Sequence, residues 1–263
     1  MGYKTTYSGL LTLKILYLTL TGADDPVNPS VLGELSQKFP FVEWAILFSD
    51  DREGTARYPT KQWREDFYKA VPECNRSAHL CGKEVLGRLV AQDAALLDEL
   101  KEYQRIQLNF NATRLDPKLL EGLIKLVNSG ICTNKSGKLI NFITQLNDAN
   151  QSITNQFGQL DGHMISNHQV LFDGSGGLGK SPEKWTAPLL DKLSGYAGGL
   201  GPDNLISELT KIKSQVEGSD GFIDFHTWID MESKIRTDDK FDLEKVLSVA
   251  TTTQYFMRKR IES

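Results

Sequence analysis

The sequence predicts a parallel α/β fold, closed as a single eight-stranded (β/α)8 barrel. Three observations point there. Short apolar runs alternate with helical patterns eight times along 263 residues. No low-complexity linker divides the chain. The length suits one barrel, which takes about 250 residues. A doubly wound open sheet is the alternative arrangement of the same elements. The expected domain is therefore residues 1–263 as one unit, with 251–263 a helical tail.

Residues 14–22 (KILYLTLTG) form the first strand, and 29–39 the helix after it, with Val31, Leu32 and Leu35 on one face. VEWAILFSDD (42–51) is the second strand and 60–70 the second helix, capped by Thr60. SAHLCG (77–82) is a short third strand, followed by one long helix over 83–103. RIQLNFN (105–111) is the fourth strand. Asp116 caps the next helix, which opens on Pro117, a residue suited to a first turn. KLINFITQLND (138–148) is the fifth strand, followed by a weak, polar helix over 149–159. HQVLFDG (168–174) is the sixth strand and 183–193 its helix. GYAGGLG (195–201) is the seventh, followed by a helix from 202 to about 216. The eighth strand lies within GFIDFHTWIDMES (221–233), and a last helix covers 242–250.

Apolar residues make up 40% of the chain and charged residues 24%, with a net charge of −4, so neither nucleic acid nor a membrane surface is an expected partner. The three cysteines, Cys74, Cys81 and Cys132, lack CxxC spacing. That argues against a disulfide framework or zinc site and fits a reducing, cytoplasmic setting. The apolar stretch 10–20 contains Lys14 and reads as a buried strand rather than a signal peptide. The four Asn-x-Ser/Thr sequons, at Asn75, Asn111, Asn134 and Asn150, read as chance matches. No metal or cofactor is expected; a monomer or homodimer is.

In a barrel, chemistry sits on the loops that follow the strands. Three such loops carry the candidates. After the sixth strand comes Asp173 and then GSGGLGKS (174–181); after the seventh, Gly198-Gly199-Leu200-Gly201; after the eighth, Asp230, Glu232, Ser233, Lys234 and Arg236. Paired glycine-rich turns at this end of a barrel suggest a phosphate site, because bare backbone can approach an anion closely. Asp173 at a strand end can serve as general acid or base. His79 and Cys81 alternate, so they share one face of the third strand and offer a Cys–His pair. Arg57 can hold a carboxylate. GSGGLGKS also matches the P-loop pattern G-x-x-x-x-G-K-[ST]. Against a nucleotide site, Pro182 follows at once, and Asp224 is the sole candidate for a magnesium-binding aspartate after an apolar run.

With these loops in view, the chain resembles the phosphoribosylanthranilate isomerase family, barrels of tryptophan biosynthesis. LFDGSGGLGKSPEKW, GYAGGLGPDNL and WIDMESKIRTDDKFDLEKV resemble that family's acid-bearing segment, phosphate loop and final strand–loop stretch. RIQLNF, ARYPT and KILYLT are looser likenesses. The resemblance implies an Amadori-type aldose–ketose isomerisation of a phosphorylated ligand. It gives Asp173 the general-acid role and Arg57 a substrate-carboxylate role, with Gly177 and Lys180 as further substrate contacts. Gly198, Gly199 and Ser233 would hold the phosphate. Leu16 aligns with the family's base cysteine and Asn109 with its histidine. Lys234 stands for a glycine near the phosphate, and Arg236 for an acidic residue. Cys81 is then the expected substitute base. The competing expectation is a phosphosugar-binding barrel without catalysis, and behind it a P-loop nucleotidase.

Overall fold

A computed structural model describes residues 12–160, 163–164, 167–173, 179–189, 191–217 and 224–258. Eight parallel strands close on themselves. They are β1 (Thr12–Thr21), β2 (Val42–Phe48), β3 (Asn75–Cys81), β4 (Arg105–Asn109), β5 (Asn141–Leu146), β6 (His168–Asp173), β7 (Ser194–Ala197) and β8 (Asp224–Met231). Each pairs with its neighbours in sequence, and β8 pairs with β1. The fold is a (β/α)8 barrel, and the open-sheet alternative is excluded by that last pairing. Among the described residues, no helix is long and apolar enough to cross a membrane.

Among the described residues, seven helices surround the barrel: α1 (Pro29–Lys38), α2 (Lys61–Ala70), α3 (Lys83–Val90), α4 (Ala94–Leu100), α5 (Pro117–Ser129), α6 (Leu205–Glu217) and α7 (Leu243–Arg258). Thr60 caps α2 by accepting from Trp63 N, and Asp116 caps α5 by accepting from Lys118 N and Leu119 N. Each such cap is worth about 1 kcal/mol. Alternate strand residues such as Trp44, Ile46, Leu80, Leu108 and Phe172 are buried with helix residues in one apolar cluster. β2 is buried along its whole length, as a parallel strand covered on both faces must be.

Four sequence expectations change. The helix expected over 83–103 is two helices, because Gln92 takes a positive φ of 55° and Asp93 caps a fresh start, accepting from Leu96 N. The polar helix over 149–159 is reduced to turns and one 3₁₀ turn, Thr154–Gln156. Asn150 there accepts from Ala112 N and donates to the carbonyls of Phe110 and Gln145, ties that compete with helix formation. The helix over 183–193 is absent among the described residues of that segment. Pro188 interrupts it, and Trp185 instead donates its indole N–H to Glu208. The expected tail is not separate: α7 runs unbroken to Arg258.

The barrel interior is charged, where bulky branched side chains are the usual filling. Arg105 of β4 donates to Glu43 of β2 at 3.3 Å, and Glu43 also accepts from the Thr19 hydroxyl at 2.8 Å. The Arg105 guanidinium lies 4.9 Å from the Tyr17 ring centroid and 4.2 Å from that of Trp228. These contacts join β1, β2, β4 and β8 through the middle of the ring. Arg105 and Glu43 are each about 1% exposed in their side chains.

Deleting one charge would strand the other in a dry interior. Arg105→Leu is expected to cost about 3–5 kcal/mol of unfolding free energy in urea titrations. The double variant Glu43→Leu/Arg105→Leu should recover most of that loss. A single-variant cost under about 1 kcal/mol would show that the pair is solvated after all.

Candidate functional site

Inward-facing residues at the carboxyl ends of the strands line a cleft of about 140 Å3. Asp173, Ala197 and Asp230 are consecutive partners across β6, β7 and β8, so they share one row at its edge. With strands about 4.8 Å apart, the two aspartates start about 10 Å from each other along the sheet. Both are buried and both line the cleft. Asp173 receives a long 3.4 Å contact from Gln145 Nε2. Asp230 receives the Thr21 hydroxyl at 2.7 Å, and its other oxygen lies 3.9 Å from His79 Nε2.

Burial pushes the Asp230 carboxyl up to about 7, with Glu232 and Glu43 adding to the rise against Thr21 and Arg105. Burial, and then the Arg105 charge, push His79 down to about 3. Near pH 6 both groups are therefore neutral, and the proton sits on the carboxyl rather than on the imidazole. This is a group poised for acid–base exchange near neutrality.

The loops after β6, β7 and β8 converge beside this row. Gly199 has φ +62°, and a Cβ built there would lie 2.3 Å from Ser181 N. Only glycine fits without displacing the neighbouring backbone. A Cβ on Gly179 would lie 2.5 Å from Ser233 Oγ, so the third loop is equally close. Asn204 fastens the turn, donating to Gly199 O at 2.8 Å and accepting from Gly201 N at 2.9 Å. Gly179, Gly198, Gly199 and Ser233 all line the cleft.

The remaining sequence candidates are placed unevenly. Lys180 and Lys234 are exposed and do not line the cleft. Lys234 packs against Gly201 and borders a neighbouring hollow with Lys245 and Arg236. Gly177 lies outside the described residues. Cys81 faces inward with His79, as the alternation predicts, but does not line the cleft. Its thiol donates to His79 O, accepts from Asn109 Nδ2 at 3.1 Å, and is pushed up by burial. A thiol held protonated is a poor base. Leu16 is not at the mouth. It falls at the bulge where the β1–β8 register shifts, and β1 continues five residues beyond it to Thr21, the β1 residue that lines the cleft.

Arg57 lines the cleft from the loop after β2, in a left-handed backbone conformation with φ 76°. Its N–H donates to Asp24 Oδ2 at 2.6 Å, and its guanidinium pairs with Glu232 and Asp239. Non-glycine residues held in that region are costly and cluster at functional sites. Asp24 is shared: Arg236 donates to it at 3.0 Å and to Gly22 O at 2.5 Å. Arg236 is thus a buried tie between the loops after β1 and β8. Sequence reasoning missed the weight of Asp230, whose partners Thr21 and His79 stand on other strands. Among the described residues, no cluster of three or more His, Cys, Asp or Glu side chains is arranged to hold a metal.

No family model and no curated protein matches the chain. Among solved structures, it superimposes on a truncated form of 3-deoxy-D-arabino-heptulosonate 7-phosphate synthase from Thermotoga maritima. That comparison has a TM-score of 0.48 and 8% identity, over 95% of this chain and 88% of that one, too slight a likeness to bear on function.

Because its native state favours the protonated form, Asp230 adds stability below its ordinary range that is lost as pH rises through about 7. Relative to Asp230→Asn, the unmodified protein should lose about 1.4 kcal/mol per pH unit between roughly pH 4 and 7. Urea unfolding at several pH values measures this. Parallel curves for the two proteins would mean that Asp230 titrates as an ordinary aspartate.

Proposed function

We propose that the chain is an acid–base enzyme acting on a phosphorylated sugar, in an aldose–ketose isomerisation of the Amadori type. The observation that carries this reading is the row Asp173–Ala197–Asp230 set beside three converging loops. The phosphate would sit against Gly198, Gly199 and Ser233, which line the cleft beside the acid row. Asp173 would protonate the ring oxygen as the sugar opens. The base that removes the C2 proton would be Asp230 in its ionised form, which becomes available near neutral pH. Cys81 suits that role less, since burial keeps its thiol protonated. The likeness of the last third of the sequence to phosphoribosylanthranilate isomerases supports the same reaction class. Arg57 would reach an acidic substrate group only by exchanging Glu232 for it.

The nucleotidase reading finds no support in this arrangement. A P-loop presents its lysine on the first turn of a helix, and residues 179–189 form no helix here. Lys180 is exposed and does not line the cleft.

Turnover of phosphoribosylanthranilate and of simple aldose phosphates, with rescue of an isomerase-deficient auxotroph, tests the proposal. Asp173→Asn and Asp230→Asn should each lower kcat by about 10²–10⁴-fold with little change in KM. Full activity in Asp173→Asn, or no turnover of any aldose phosphate, would overturn it. Gly199→Ala should act differently, raising KM, because the added methyl forces the β6 and β7 loops apart.

A further inference from the structure

The β4 wall of the cleft carries a feature that the acid–base row does not use. Gln107 is 3% exposed and lines the cleft, yet its Oε1 has no hydrogen-bond partner. Other buried side-chain atoms lack partners, among them Glu43 Oε2, Arg105 Nη2 and Gln169 Oε1. Those residues do not line the cleft; among the described residues, Gln107 is the one that does.

The Gln107 amide stands at the end of a hydrogen-bonded chain. The Cys81 thiol donates to His79 O, leaving its sulfur to accept from Asn109 Nδ2 at 3.1 Å. Asn109 Oδ1 then accepts from Gln107 Nε2 at 2.7 Å. Turning Gln107 over would set two oxygens against each other at that distance. With Nε2 engaged by Asn109, Oε1 is a buried acceptor on the cleft wall. The residues around it are chemically alike: Asn109 beside it and Gln145 on β5 also line the cleft. Among the described residues, no Phe, Tyr or Trp lines the cleft, so its described walls are polar rather than aromatic.

We propose that Gln107 is a specificity-determining residue that accepts a hydrogen bond from a substrate hydroxyl. The part of the substrate away from the phosphate is accordingly a polyhydroxylated chain rather than an aryl group. This rests on the phosphosugar reading and narrows it. It also gives Cys81 and Asn109 a function: they form the hydrogen-bonded chain that ends on Gln107 rather than move protons. A site built around a buried acceptor rejects an analogue that leaves it unfilled.

Calorimetric titration of the full chain tests this with inorganic phosphate, ribitol 5-phosphate, pentyl phosphate and phenyl phosphate. Ribitol 5-phosphate should bind about 10- to 100-fold more tightly than pentyl phosphate, which has the same chain length without hydroxyls. In Gln107→Met that preference should shrink about tenfold or more, while the affinity for inorganic phosphate stays the same. Pentyl or phenyl phosphate binding as well as the polyol phosphate would overturn the proposal. So would an unchanged preference in Gln107→Met, which would mean that water fills the acceptor in both. The comparison of ligands on the unmodified protein decides the matter even if the variant does not fold. Failure of every phosphate, inorganic phosphate included, would instead remove the phosphosugar reading, and this proposal with it.

Discussion

The barrel is organised around one guanidinium. Arg105 sits in the middle of the ring between the faces of Tyr17 and Trp228, with Glu43 as its counter-charge. A charge so placed is tolerable only when rings and a carboxylate surround it closely. That demand fixes which way β1, β2, β4 and β8 face. Once they are fixed, Thr21 and Asp230 fall on the inner surface above the pair, where His79 of the intervening β3 meets Asp230. Arg105 also reaches the chemistry, because its field lowers the proton affinity of both His79 and Asp230.

The two neutral groups at the mouth follow from opposite responses to the same burial. A buried carboxyl holds its proton and a buried imidazole gives its proton up. Placing them 3.9 Å apart yields a pair without charge, and such a pair does not need water to stabilise it. The cleft therefore presents an uncharged acid–imidazole pair on the β3–β8 side and amides on the β4–β5 side. The converging loops after β6, β7 and β8 form its third side. Each wall offers a different chemistry to one bound molecule.

Much of the architecture was legible in the sequence. Alternating apolar runs gave the eight strands, and Thr60 and Asp116 marked helix starts where they occur. Where reading failed, the cause was a competing local bond. Asn150 ties its own segment to β4 and β5, and Pro188 removes an N–H that a helix would need. The glycine turns could be seen because glycine is unusual by itself. Asp230 could not be weighed, since its hydroxyl partner lies 209 residues earlier. Arg57 is a similar case, with partners 175 and 182 residues away. Leu16 was misplaced because one bulge and a longer first strand move the mouth to Thr21, and family-style alignment does not register either.

Arg236 closes the seam of the barrel. It holds Gly22 O and Asp24 across the β1–β8 junction, spanning 214 and 212 residues of chain. Contacts of such long range form late, because the intervening chain must be ordered first. Until that part of the chain is in place, Asp24 lacks the Arg236 guanidinium and Arg57 lacks its carboxylate partners Glu232 and Asp239. The ring and its rim are thus completed in one event. An incomplete chain still emerging from synthesis would carry all the early strands but neither the seal nor a finished site. Ligand binding should therefore report on closure of the whole ring rather than on the presence of any part of it.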